Sequence, residues 1–536
     1  MPTAAALRLL QTVHRLSLWP AHKRFSDAAR SCEAAQAGRL RDLVTSNTDT
    51  AYGRAHRFQA VTSVRAWQSR VPIVDYDDIQ PWVARAAAGE RRVLTAAPIR
   101  IFERTSGSTD ANKLVPYTAG LLDEFAAATG PWLHGLYASY PGLRGTTSYW
   151  SISPAARERE LTAGGTPVGF DDDTEYFGRL ERLALQWMLA VPAEVSRLSD
   201  MSAWADATTR HLVSAPNLGL ISVWHPSFLV LLLKRIESNL DALLDQVSVR
   251  RRTLVRDRLH RGKTLSEALW PRLKVVSCWA DGAAAAAVPA LARSVPHADV
   301  QPKGLLATEG VVSFPLGRRD GSVTVAAVTG HFLEFVDLEQ PAARPRLAHE
   351  LRRGATYAPL ISTSGGFYRY RLGDAVRCDG FHHQIPVLRF EGRIDHVSDL
   401  CGEKLNPHAI AAALGYAERA AGGPLAFALL APVADDPPHY CLYAEGTDDA
   451  TLGVICEAVE RKLCEGHGYR YARAIGQLAQ LRGVRVRDGA ARYILARTRA
   501  GQRAGDVKPA YLDTRLDWRS VFELPGPERV SSEVAT

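Results

Sequence analysis

Apolar residues recur at helical spacing through the first 45 or so positions, where Leu9, Val13 and Leu16 fall on one face with Arg8, His14 and Arg15 between them. The pattern predicts amphipathic helix from residue 1 to about 45. It is interrupted too often for a signal peptide or a membrane span. Val71-Pro72-Ile73-Val74 predicts a short strand or extended entry, because Pro72 disfavours helix at the residue before it. Ile99 to Glu103 reads as a strand. Tyr117-Thr118 opens a helix, with Thr118 as its N-cap and Leu121, Leu122 and Phe125 on one face. Gly130-Pro131 is expected to break or bend that helix. The hydroxyl-rich segment before Tyr117 is thereby placed between a strand and a helix, where anions bind readily.

Further on, Leu218 to Trp224 reads as a buried strand, His225-Pro226-Ser227 as a turn and Phe228 to Ile236 as the start of a helix. Leu273 to Cys278 is another apolar strand, and the alanines from Ala283 to Ala287 are good helix formers. Strand, turn and helix in repetition predict an α/β core with some parallel strands. Near Asp395 the character changes. Asn406-Pro407 starts a helix, Leu425 to Ala431 and His439 to Glu445 read as paired strands, a helix covers about 452–464 and a strand 481–486. The last dozen residues are polar and expected to fray.

A chain of 536 residues exceeds one simple core, so two or three structural units are expected. Its 46% hydrophobic content argues against disorder. The net charge of +8 comes from arginines spread along the chain, without the dense basic block of a nucleic-acid tail. Nucleic-acid binding is therefore not expected, whereas an anionic small molecule suits the charge. Seven cysteines with no CxxC pair give neither a disulfide framework nor a zinc cluster, and reduced thiols in a cytoplasm are the plain reading. Phe228 to Leu233 is too short to cross a bilayer. The sequence gives no sign of the oligomeric state.

The segment with most chemistry is Thr105-Ser106-Gly107-Ser108-Thr109-Asp110-Ala111-Asn112-Lys113. Glycine lets the backbone approach an anion, hydroxyls and exposed N–H groups bond phosphate oxygens, and Lys113 adds positive charge. Alone it is equally an ordinary Ser/Thr turn. Four segments follow it: Thr308-Glu309-Gly310; Ser364-Gly365-Gly366 running to Gly373-Asp374; Phe390-Glu391-Gly392-Arg393-Ile394-Asp395 with Gly402-Glu403-Lys404; and Gly505-Asp506-Val507-Lys508-Pro509. In this order the five resemble the core motifs of the adenylate-forming superfamily. Thr50-Ala51-Tyr52-Gly53, Val71 to Tyr76, Trp224-His225-Pro226-Ser227 and Tyr368 to Asp374 are closer to one branch, the GH3 acyl-acid amido synthetases, read here as a bacterial-type member. The resemblance runs from about residue 36 to 510.

That resemblance implies an α/β fold: a large N-terminal adenylate-forming domain over residues 1–395, with mixed sheets flanked by helices, and a smaller mobile C-terminal α+β domain over 396–536. It implies an ATP-dependent ligase that converts a carboxylic acid to an acyl-adenylate and passes the acyl group to an amine, expected to be an amino acid. By the same resemblance Ser106, Gly107, Ser108 and Thr109 hold the ATP phosphates. Thr308 touches the α-phosphate, Glu309 binds Mg²⁺, with an ordinary surface carboxylate as the alternative, and Asp374 accepts from the ribose hydroxyls; Arg393, close in sequence to the hinge, either reaches ribose or phosphate or makes a surface salt bridge. Lys508 is the mobile lysine that bridges substrate carboxylate and α-phosphate, and Asp395 marks the hinge. Within Tyr368 to Leu372 a period-two strand puts the tyrosines and Leu372 on one face, Arg369 and Arg371 on the other; the tyrosines read as packing.

There are departures and open alternatives. Asp110 and Ala111 stand where relatives usually have glycine, which leaves a negative charge beside the triphosphate. His225, His382, His383 and His396 show no partner spacing that would make any of them a base. An acyl-CoA synthetase shares the first half-reaction, and a degenerate nucleotide-binding sensor is a third class. The acyl pocket is expected between the helix after Thr118 and the strands ending near Trp224 and Trp279. Leu121, Leu122, Phe125, Trp132, Trp224 and Trp279 are its candidate lining, with core packing as the alternative for each.

Overall fold

The computed structural model describes residues 3–104, 113–151, 160–169, 187–198, 201–317, 323–394, 398, 400, 403, 405–474, 478–500, 502, 507, 510–515 and 517–523. The chain divides into two compact units, Met1–Asp281 with Val288–Phe390, and Gly282–Ala287 with Glu391–Thr536.

Three sheets of four or more strands organise the large unit. Thr147–Trp150, Leu218–Ser222, Val275–Cys278 and Asp299–Pro302 form a four-stranded sheet in which every neighbouring pair is parallel. Their near-continuous burial is what a parallel sheet covered on both faces requires. Ile99–Arg104 and Leu114–Thr118 form an antiparallel pair within a second sheet. An eight-stranded sheet takes in Ser313–Leu316, Val323–Ala326, Phe332–Asp337, Thr356–Ser362, Tyr370–Arg371, Asp374–His382 and Ile385–Arg393.

The N-terminal helical stretch is two helices, Ala4–Arg30 and Cys32–Asn47, separated at Ser31. Val74 forms a single parallel bridge with Tyr370, after which Asp75 caps the helix Tyr76–Ala87 through a capping box with Asp78. Thr118 caps Ala119–Ser139 as expected, its hydroxyl accepting from Leu121 N at 3.1 Å. Of the break or bend expected at Gly130-Pro131, the break does not occur, and the helix continues through both residues. Gly130 lies so near the first helix that an added Cβ would come within 3.0 Å of the Ala21 Cβ. Burial of Leu121, Phe125, Trp132 and Leu133 along it outweighs the one backbone bond that Pro131 forgoes. The alanine run is a 3₁₀ turn, Gly282–Ala287, and the α-helix begins after it at Val288–Ser294.

The small unit has Phe427–Val433 antiparallel to His439–Glu445, and Arg482–Arg485 parallel to the latter. Asn406 caps Pro407–Ala420, accepting from Ala409 N at 2.8 Å. Helix Asp449–Leu463 packs into a core with Leu430, Leu442 and Tyr440. A second cluster gathers Tyr443, Tyr493, Val507, Trp518 and Phe522.

Among the described residues no helix is long and apolar enough to cross a membrane. The six described cysteines are unpaired.

Burial holds several histidine rings neutral, His14, His134 and His225 among them. His14 lies inside the first helix with Nδ1 3.4 Å from the Tyr137 hydroxyl, and burial pushes it down to about 4. His225 caps Pro226–Ser238, accepting from Ser227 N at 3.3 Å, and burial again pushes it down to about 4. The unfolded rings protonate near pH 6.5, so between there and about 4 the unfolded state binds more protons. Stability is therefore expected to be full above about pH 6.5 and to fall as pH drops toward 4. Urea titrations across that window check this. His225→Asn keeps a capping acceptor and should remove up to about 1.4 kcal/mol per pH unit of the slope. An unchanged slope in that variant would count against His225 as a contributor.

Candidate active site

The hydroxyl-rich segment joins two antiparallel strands rather than a strand and a helix. Leu114–Thr118 intervenes as a strand of its own, its residues Leu114 to Tyr117 pairing antiparallel with Ile101 to Arg104. Ser106, Gly107, Ser108, Thr109, Asp110 and Ala111 themselves lie outside the described residues, as do Asp395, His396 and Lys508. The strands that carry the loop are well anchored. Leu114 N donates to the Tyr76 hydroxyl at 2.6 Å, and the Lys113 ammonium stands 5.5 Å from the centre of the Tyr76 ring.

From this hairpin the Tyr117 hydroxyl reaches across to donate to the Thr308 carbonyl at 2.5 Å. Thr308 and Glu309 form the tight turn between Leu306–Ala307 and Gly310–Val311. Burial pushes the Tyr76 phenol up, the Leu114 amide and then Arg104 pull it down, and Glu309 adds to the rise. Gly310 is required here: an added Cβ would lie 2.4 Å from Ile361 Cδ1 and 2.7 Å from His331 Nε2.

A buried network behind the turn fixes its course. Glu124 accepts from Arg39 Nη2 at 2.5 Å, from the Ser364 amide and hydroxyl, and from His331 Nδ1 at 3.0 Å. His331 Nε2 accepts from Val311 N at 3.0 Å, so the proton of the neutral ring sits on Nδ1. Thr118 Oγ1 donates to the Ser364 carbonyl at 3.1 Å, and a Cβ at Gly365 would lie 2.6 Å from the Pro116 carbonyl. The hairpin, the Thr308-Glu309 turn and the Ser364 loop are thus held as one piece. Ten residues on, the buried Asp374 opens the strand Asp374–His382. Arg393 closes Ile385–Arg393 and is half-buried.

The Tyr368 to Leu372 segment departs from the expected alternation. Arg369 adopts a left-handed φ of 49°, is buried, and points inward to Glu334. Only Tyr370–Arg371 pairs as a strand. Tyr368 packs as expected, 5.0 Å from Tyr52 ring to ring, with its hydroxyl on the Leu94 carbonyl.

In the small unit, Glu403 accepts from Leu400 N at 2.7 Å and from the Tyr440 hydroxyl, which makes it a brace for the bridge between Ser398 and Leu405. Val507, next to Lys508, is buried, and Leu512 bridges Leu430.

Two family models match this chain: the GH3 family N-terminal domain over residues 21–255 and the GH3 family central domain over 324–393. Together they take in more than half of it. The chain belongs to the GH3 family. Among relatives of this GH3 chain, a probable indole-3-acetic acid-amido synthetase of Oryza sativa subsp. japonica is 24% identical over 89% of the chain and 91% of the relative. A jasmonoyl-L-amino acid synthetase of Nicotiana attenuata is 23% identical over 88% and 89%. These are plant proteins, and nothing among them supports a bacterial-type assignment. The fold is that of AtGH3.15 acyl acid amido synthetase, solved with 2,4-DB, at a TM-score of 0.82, 18% identity and coverage of 95% of this chain and 96% of that one. The chain is accordingly an AMP-forming amido synthetase, and ATP is its nucleotide.

The candidate acyl-pocket residues of this GH3 chain fall into two groups. Leu121 and Phe125 are buried in the main core, with Leu122 packed against it, and Phe125 stacks on Tyr117 at 5.9 Å. Trp132 is buried as well, its Nε1 donating to Gln301 Oε1 at 3.0 Å. Trp224 and Trp279 are half-buried where the parallel strands end, their ring centres 5.5 Å apart. His225 has its capping role, burial lowers the His382 ring, and His383 sits in a turn at a φ of 53°. Sequence reading missed Tyr117, Glu124 and His331. The first carries a weak signal, a tyrosine just before an N-cap. Glu124 and His331 carry none, being 207 residues apart.

Proposed function

We propose that this chain condenses a free carboxylic acid with an amino acid, using the assembly of hairpin, Thr308-Glu309 turn and Asp374 strand as its nucleotide site. The observation that carries this is the Tyr117 hydroxyl on the Thr308 carbonyl, which ties the strand leaving the phosphate loop to the turn bearing the metal-binding candidate. In the first half-reaction a substrate carboxylate oxygen attacks the α-phosphorus of ATP and pyrophosphate leaves. In the second, the amine nitrogen bonds the acyl carbon, the C–O bond to AMP breaks, and the amine proton passes to water. Ser106, Gly107, Ser108 and Thr109 take the phosphates, Thr308 the α-phosphate, Asp374 the ribose hydroxyls, Arg393 ribose or phosphate, and Lys508 the reacting carboxylate and α-phosphate. Such chemistry needs positioning and charge neutralisation more than a covalent nucleophile.

Among the described residues no three acidic, histidine or cysteine side chains cluster as a metal site. One half-buried carboxylate, Glu309, suits Mg²⁺, which keeps waters and takes most other ligands from phosphate. When bound, Mg²⁺ neutralises charge on the leaving phosphates. Unpaired thiols accord with a reducing compartment such as the cytoplasm.

The test is one incubation with ATP, Mg²⁺, a pool of acids that includes indole-3-acetic acid and jasmonic acid, and a pool of amino acids, read by mass spectrometry. AMP with a condensed acid–amine mass is expected. AMP that appears only when CoA is added, with a thioester as product, would sink the amide reading.

A further inference from the structure

The first helix, Ala4–Arg30, is apolar on two opposite faces. Leu7, Leu18 and Phe25 are buried on the inner one, which packs on the helix Ala119–Ser139. On the outer one Leu9 is 67% exposed, Val13 57%, Leu16 68% and Trp19 52%. These four lie within about a third of a turn of one another and cover about 15 Å of the axis. The outer side of a surface helix is ordinarily polar. Here the exposed apolar stripe is edged by cations instead. Arg8 and Arg15 stand one position ahead of Leu9 and Leu16, along one flank, and Lys23 and Arg24 continue the stripe beyond Trp19. No Asp or Glu precedes Asp27, which comes about 12 Å past Trp19. Neighbouring elements add to the same sign. A Cβ at Gly145 would lie 3.1 Å from Arg8 Cγ, the adjacent Arg144 is exposed, and Arg272 donates to the Arg144 carbonyl at 3.0 Å. His22 and His134 stack at 4.2 Å beside Trp19; burial lowers both rings, and the charge of Arg15 lowers both further.

We infer that the outer face of the first helix seats this protein reversibly on an anionic lipid surface, with Leu9, Val13, Leu16 and Trp19 entering the headgroup layer and Arg8, Arg15, Lys23 and Arg24 meeting lipid phosphates. An exposed apolar stripe bordered by Lys and Arg is the pattern of helices that lie in a membrane interface. Tryptophan favours that depth, its ring in an apolar setting and its N–H in a wet one. The long basic side chains lay their stems along the apolar surface and keep their charge among the headgroups. Charge decides the occupant. A second copy of the chain, paired through the same stripe, would bring these uncompensated cations against their own kind. A nucleic acid would engage the cations and leave four apolar side chains unused. An anionic bilayer surface satisfies both sets. The helix lies on the surface and does not cross it, since its inner face belongs to the core and, among the described residues, no helix is long and apolar enough to span.

The experiment sediments the full chain with vesicles of phosphatidylcholine alone and of phosphatidylcholine mixed with phosphatidylglycerol. Binding to the anionic vesicles is expected to be at least about tenfold tighter, and to weaken in molar salt, where the screening length falls to about 3 Å. Arg8→Gln with Lys23→Gln should weaken it about 25-fold, two steps of about fivefold each. Leu16→Ser with Trp19→Ser should weaken it at least about tenfold. All four side chains are exposed, so urea midpoints should stay in place in both variants, which separates lost docking from lost fold. Equal binding to the two vesicle types overturns the inference. Undiminished binding in the Leu16→Ser, Trp19→Ser variant overturns it too, and would mark a site for any polyanion. So does a concentration-dependent dimer in sedimentation velocity that this variant abolishes, which would assign the stripe to a second copy of the chain.

Discussion

Arg369→Ala is expected to destabilise the protein by about 3–5 kcal/mol, measured by urea unfolding, the cost of breaking a buried ion pair from one side. Arg369 donates through Nε to Glu334 Oε2 at 3.0 Å and through Nη2 to Oε1 at 3.1 Å, a bidentate pair in which both side chains are almost fully buried. Its Nη1 also bonds the Val71 carbonyl at 2.6 Å and the Gln68 carbonyl at 3.0 Å. Glu334 in turn accepts from Trp67 Nε1 and Gln68 Nε2. Truncating the arginine strands a carboxylate among tryptophan and glutamine, and frees the Val71 turn that leads through Val74 into the helix carrying Tyr76. Two comparisons separate this from cavity formation. Arg369→Met keeps most of the stem yet should lose nearly as much, because the charge and not the volume is missing. Adding Glu334→Gln to it should recover a substantial part, since no bare carboxylate then remains. If Arg369→Met is near wild type in stability, the ion pair is not what holds this junction.

The left-handed backbone at Arg369 shows where sequence reading stops. Tyr368, Arg369, Tyr370 and Arg371 alternate as a strand should, and alternation is all that a local pattern can report. The partner that overrides it, Glu334, is brought alongside by pairing within the eight-stranded sheet. The same holds at the hydroxyl-rich segment. Thr118 was legible as an N-cap because capping depends on residues three apart, whereas the strand before it depends on pairing with Ile99–Arg104 across the loop. Gly130-Pro131 failed as a break for a related reason: a helix tolerates proline when its neighbours bury enough surface, and Ala21 lies 109 positions away in sequence. Short-range signals placed Asn406 and the strands of the small unit.

Glu309→Gln is expected to lower the rate of acid-dependent AMP formation by about 10³-fold, roughly 4 kcal/mol, because an isosteric amide keeps the turn but loses the charge that a divalent cation requires. The turn is well suited to such a role. Tyr117 holds its Thr308 end, and the chain of Glu124, His331 and Val311 N holds its Gly310 end. Glu124→Gln acts only through that chain. It keeps an acceptor but loses the charge shared among Arg39, His331 and Ser364, so the effect should be smaller, about 10–100-fold, as for groups that orient a ligand rather than bind it. The two variants should also differ in kind. Titrating Mg²⁺ in a pyrophosphate-exchange assay, Glu309→Gln should shift the half-saturating concentration upward, with manganese restoring part of the rate. Glu124→Gln should lower the plateau and leave the midpoint nearly in place. Wild-type Mg²⁺ dependence in Glu309→Gln would move the metal role off this residue. A shifted midpoint in Glu124→Gln instead would mean that the buried network sets the position of the cation and not only that of the turn.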